Sequence, residues 1–68
     1  MRYAIVIEGE TGNYSAYVPD LPGCVVAADT LEELVQDMQQ AIQIHLEGLQ
    51  EDGLPVPEPT TQVEYIDI

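Results

Sequence analysis

Carboxylates are the one reactive group this chain has in quantity. Thirteen Asp and Glu stand against a single Lys or Arg, Arg2, for a formal charge of −12 at pH 7. Glu8, Asp29, Glu64 and Asp67 fall on or beside strand-forming stretches. In two-metal hydrolysis, carboxylates hold paired ions about 4 Å apart around a phosphodiester. That chemistry needs several carboxylates converging on one point and a cation to hold the phosphate. No motif here fixes such convergence and Arg2 stands alone, so solvated strand ends are the better account. His45 is the only histidine. It lies within the apolar arc of a helix with no Cys or second His to complete a ligand set, and it reads as a core-edge side chain. Cys24 has no Lys or Arg beside it to favour the thiolate, and it reads as a buried apolar thiol suited to a reducing compartment. The glycines form no phosphate cradle, since no Gly-rich loop ends in Lys-Ser/Thr. The expectation is a chain with no catalytic residue, no cofactor and no metal.

The same charge count points to a partner. A strongly anionic chain repels phosphate, which argues against direct contact with DNA, RNA or an anionic membrane surface. It attracts a basic protein. With 46% hydrophobic residues the 68-residue chain is too apolar for a disordered acidic tail. One cysteine is too few for a disulfide scaffold. Its longest apolar runs are far below the roughly 20 residues of a membrane span, and nothing at the N-terminus reads as a secretion signal. A single soluble, cytoplasmic domain covering residues 1–68 is expected.

Several elements must position these residues. Alternating β-branched and aromatic side chains predict a strand over residues 3–7, apolar on both faces and therefore central in a sheet. Gly9 to Asn13 form a turn and residues 14–18 a second, antiparallel strand closed by Pro19. Pro22-Gly23 has the residue types of a type II turn, with Leu21 as an apolar plug beneath it. Residues 24–28 make a third strand. Thr30 and Glu33 stand at capping-box spacing and open a helix. On it Leu31, Leu34, Val35, Met38, Ala41, Ile42, His45, Leu46 and Leu49 share an arc of roughly 140°. Gly53 and Pro55 end the helix. Pro55, Pro57 and Pro59 stiffen the connection to a last strand over residues 63–68.

A right-handed crossover would lay that last strand beside the first. The predicted fold is α+β: a single β-β-β-α-β domain with a four-stranded mixed sheet of order 3-2-1-4 and one helix on one face. One helix covers one face only, and Ile44 lies outside its apolar arc. Self-association, most simply as a homodimer, is therefore expected, with Ile44 in the contact.

Pro19-Asp20-Leu21-Pro22-Gly23-Cys24, then Asp29-Thr30-Leu31-Glu32-Glu33-Leu34, resemble the HicB-like antitoxin family. The likeness continues through Ala41-Ile42, Leu46-Glu47-Gly48-Leu49 and Glu51-Asp52-Gly53-Leu54-Pro55-Val56-Pro57. It covers nearly the whole chain, with Ala28 where the family often has Gly. The resemblance implies an incomplete ribonuclease-H-like fold and a protein that binds and blocks HicA, a small basic ribonuclease that cleaves messenger RNA. Many members add a C-terminal DNA-binding domain; residues 1–68 are expected to hold none. Residue type and resemblance thus agree on a non-catalytic antitoxin with a basic partner, and the rival reading is an oligomeric acidic adaptor for another protein. The partner-facing carboxylates expected are Asp20 in the Pro-Gly loop and Glu32, Glu33 and Asp37 at the start of the helix.

Overall fold

The computed structural model describes residues 1–68. Three strands, β1 (Val6–Glu10), β2 (Asn13–Tyr17) and β3 (Val25–Ala28), precede one helix, α1 (Leu31–Glu51). The strands form an antiparallel meander of order β1-β2-β3.

The hairpin turns on two residues, Thr11 and Gly12, with Glu10 opposite Asn13. Gly12 takes φ 85°, and its N–H donates to the Asp29 carbonyl at 3.0 Å, tying the tip to the end of β3. This tight turn moves the first strand along the chain from the expected residues 3–7 to Val6–Glu10. Continuing the same register before Val6 would put Pro19 opposite Ala4, and proline has no N–H to give to a ladder. β1 is also an edge strand rather than the central one, and β2 takes the centre.

The β2–β3 connection is a double turn. Leu21 N–H donates to the Val18 carbonyl, Cys24 N–H to that of Leu21 and Val18 N–H to that of Cys24, each at 3.1 Å. Gly23, at φ 85°, occupies the left-handed position that a type II turn requires after Pro22. Leu21 is wholly buried, in one cluster with Ala16, Val18, Cys24, Leu34 and Met38.

Thr30 caps α1 from an extended backbone, its hydroxyl oxygen accepting the Glu33 N–H at 3.2 Å. The helix ends in a paired-carbonyl motif. Gly53 at φ 68° donates to the Gln50 carbonyl at 3.1 Å, and Leu54 to that of Leu49 at 2.8 Å. The expected apolar arc faces the sheet. Leu34 and Met38 are buried, Ala41, Ile42, His45, Leu46 and Leu49 half-buried, while Leu31 and Val35 at its margin are exposed. α1 lies across β3 and β2 and leaves β1 uncovered.

The expected fourth strand is absent. Residues 54–68 carry no regular structure, so the four-stranded mixed sheet of order 3-2-1-4, and the β-β-β-α-β arrangement built on it, give way to a three-stranded antiparallel sheet and one helix. Val63, Tyr65, Ile66 and Ile68 have strand-like side chains, but all four are exposed. Strand preference reflects packing on a pleated, half-buried surface rather than a tendency of the backbone itself. Within one chain these residues find no such surface.

Gly9 sits in β1 at φ 103°, and a Cβ there would run into the Asn13 carbonyl oxygen. Gly9→Ala should therefore lower stability by about 1–3 kcal/mol from the backbone conformation alone, with the clash adding to it. Urea unfolding of the two proteins checks this, and an unchanged midpoint would contradict the hairpin geometry.

Candidate functional site

The chain's chemistry is carboxylate chemistry, and the structure gives its carboxylates two different settings. Glu32, Glu33 and Asp37 are exposed on the first turns of α1. Glu32 and Glu33 lie in the first turn, where backbone N–H groups favour negative charge. Glu33 and Asp37 are four residues apart and therefore neighbours on the helix surface. Asp29 is exposed just before them. Together they make the start of the helix an anionic surface that leaves its oxygens in water.

Asp20 is half-buried in the double turn, and its carboxylate is engaged within the chain. Oδ1 accepts the hydroxyls of Thr60 and Thr61, both at 3.0 Å, and Oδ2 accepts the Thr61 backbone N–H at 3.1 Å. The Thr61 backbone bond, ahead of the hydroxyl bonds, holds this carboxyl below its ordinary pKa, outweighing the opposing effect of partial burial. Tyr3 makes a second tie, its hydroxyl donating to the Pro57 carbonyl at 2.6 Å. Burial chiefly, then the charges of Glu58 and Asp20, push the Tyr3 phenol upward. Asp20 and Tyr3 thus pin the stretch after the proline-rich connection against the β2–β3 end of the sheet. Sequence reasoning missed Tyr3, Thr60 and Thr61. Their partners lie 40 to 54 residues away along the chain, and no spacing rule reaches that far.

Cys24 is buried, and that burial raises its thiol pKa, which keeps it protonated. His45 is half-buried on the helix. No three of the His, Cys, Asp and Glu side chains gather as a metal site would require. No helix is long and apolar enough to cross a membrane. Ile44 is 68% exposed on α1. Across the sheet's open face, Val6, Tyr17 and Val25 stand in one cross-strand row.

The chain is thus a small α+β domain with exposed carboxylates and exposed apolar strand residues, and its one thiol is buried. The comparisons define that class further. The family model of the HicB-like antitoxin of bacterial toxin–antitoxin systems matches residues 3–67, and the chain belongs to that family. It is 41% identical over 66 residues to a 14.9 kDa protein from the rep–hol intergenic region of Haemophilus phage HP1. That match covers 97% of this chain and 50% of the phage protein. It is 34% identical to antitoxin HicB 1 of Photorhabdus laumondii, over 100% of this chain and 45% of that protein. The chain therefore spans about half the length of these two relatives. Among solved structures it superposes on a chain of the HicA3 and HicB3 toxin–antitoxin complex with a TM-score of 0.74 and 30% identity. This likeness covers 88% of the present chain and 70% of that one.

The Asp20 tie has a defined pH dependence. A carboxyl whose pKa is lowered on folding contributes stability that is complete above its ordinary value of 3.8 and is lost as pH falls through the lower, folded value. Acid titration followed at the Thr61 amide should show the tie releasing below pH 3.8. In Asp20→Ala the Thr61 amide should already be released at neutral pH. A Thr61 signal that is the same in both proteins would remove the tie.

Proposed function

We propose that this chain is a non-catalytic antitoxin that binds and neutralises a small basic HicA-type messenger-RNA ribonuclease, and that it does so as a homo-oligomer. The observation that carries this reading is the likeness to a chain of the HicA3 and HicB3 complex, at 30% identity over 88% of the chain. The charge supports it independently. At −12 the chain repels RNA and attracts the basic surface with which a ribonuclease holds RNA. Occupying that surface is sufficient for inhibition and asks no chemistry of the antitoxin.

Glu32, Glu33 and Asp37 are the contact carboxylates in this reading, since they are exposed. Asp20 contributes to the interface through its hold on Thr60 and Thr61, and its charge adds to the anionic field around them. Exposed charges steer association more than they set final affinity, and salt screens them within about 8 Å at physiological ionic strength.

The test uses a small basic HicA-type ribonuclease as the binding partner. Association should slow as salt rises. Glu33→Gln with Asp37→Lys removes local negative charge while glutamine keeps the capping-box side-chain type. The double variant should associate about tenfold more slowly and restore RNA cleavage, with helix content unchanged by circular dichroism. Unaltered inhibition would move the interface away from the start of α1. Failure of such a ribonuclease to bind the unaltered chain at any salt concentration would overturn the antitoxin reading in favour of an adaptor for another protein.

A further inference from the structure

Two stretches with strand-like sequences stay out of the sheet, and they face one another. Residues 2–5 and residues 61–63 flank an open cleft of about 610 Å³ lined by Arg2, Tyr3, Ile5, Thr61 and Val63. No residue before Val6 or after Leu54 takes part in a backbone–backbone hydrogen bond. Beyond the cleft, Tyr65 is 92% and Ile66 82% exposed.

We propose that the cleft receives an extended strand from a second copy of this chain, its residues 63–68, and that two copies exchange these strands reciprocally. Paired strands lie about 4.8 Å apart, so one inserted strand hydrogen-bonds on both sides and supplies partners to both flanking stretches at once. The sheet so formed differs from a single-chain fourth strand, because the inserted strand belongs to the other molecule and the chain's own Thr61 and Gln62 lie beyond it. A two-fold axis makes the exchange self-complementary and closed.

Three observations select a second copy as the occupant. The chain exposes 5372 Å², whereas a compact monomer of its 7.5 kDa exposes about 4,250 Å². The excess of about 1,100 Å² exceeds the roughly 800 Å² per partner of a standard interface. The shape agrees, with a radius of gyration of 13.1 Å against about 11 Å for a compact chain of this length. Charge agrees as well. Arg2, the only Lys or Arg of the chain, lines the cleft and suits an acidic strand. Residues 63–68 supply Glu64 and Asp67, whereas a strand from a basic partner would meet Arg2 with like charge.

The proposal deepens the homo-oligomer part of the proposed function and is independent of toxin binding, and salt separates the two. Two chains of −12 repel, so screening should strengthen self-association, while it weakens attachment to a basic protein. Sedimentation of residues 1–68 from about 1 to 200 μM should show a dimer whose dissociation constant falls as salt rises. Above that constant, amide exchange in residues 3–5 and 63–67 should be about tenfold slower than below it. Tyr65→Pro removes one ladder donor, and Arg2→Glu reverses the cleft's charge. Each should raise the dimer's dissociation constant about tenfold or more while the helix signal persists. A monomer at every concentration would overturn the proposal, as would a dimer without protection in both stretches. Protection that arises only when a small basic HicA-type ribonuclease is added would assign the cleft to that partner and overturn it equally.

Discussion

Everything in this fold leans on the burial of Leu21. A domain of this size has few side chains to remove from water: six are buried, three of them (Val18, Leu21 and Cys24) in the β2–β3 connection, where Leu21, at 0% exposure, is the most completely buried. Its burial draws the double turn into the core formed by Val18, Leu34 and Met38, and the three backbone bonds among Val18, Leu21 and Cys24 then have a single geometry. Asp20 precedes the plug and is directed outward by the same turn. That placement lets its carboxylate reach Thr60 and Thr61. Core packing, loop conformation and the path of the last third of the chain are thus one structural commitment. Removing the side chain of such a residue typically costs about 2–5 kcal/mol, a large share of what a domain this small has.

Local chemistry was legible where it is self-contained. Thr30 with Glu33, Gly53 before Pro55, and Pro22-Gly23 each specify a backbone geometry within four residues, and each forms as expected. The helix arc was legible because its period is fixed at 3.6 residues per turn. What the sequence did not yield depends on distance along the chain. The strand at residues 3–7 shifts to Val6–Glu10 because the hairpin closes on Thr11-Gly12 and Pro19 cannot extend the ladder. Residues 63–68 have the composition of a strand, but composition carries no information on where a strand's neighbour comes from. For the site, Glu32, Glu33 and Asp37 are exposed on α1, and their contact with a partner belongs to the proposed function. Asp20 was visible as a loop carboxylate, yet its ties to Thr60 and Thr61 were not.

The carboxylates also shape the electrostatics of the whole chain. Thirteen acidic side chains around one basic one leave the chain almost no internal ion pairing with which to balance its field. The structure relieves this locally, with Glu32 and Glu33 beside the backbone donors that begin the helix and Asp20 on two hydroxyls and an amide. The remaining self-repulsion disfavours the compact state, and a basic ligand relieves it on binding. Charge therefore joins stability and recognition in one quantity, since a ligand that prefers the folded form stabilises it in proportion to its affinity and concentration.

The exposed apolar residues place a second demand on the same small chain. The helix reaches β3 and β2 but not β1, so Ile7 on the edge strand, Tyr17 and Val25 on the open face, and residues 63–68 are left for water in a monomer. An unpaired edge strand is an invitation to further pairing. The edge here is framed by Arg2 in an otherwise acidic chain and by a segment pinned in place through Tyr3 and Asp20. The pinning matters energetically. A free tail would surrender its full conformational entropy on pairing, at about 1–2 kcal/mol per residue, whereas residues 57–61 have already paid that cost within the monomer. If residues 63–68 pair with a second copy, only the few residues beyond Thr61 would remain to be ordered, because the two ties already fix the chain up to that point.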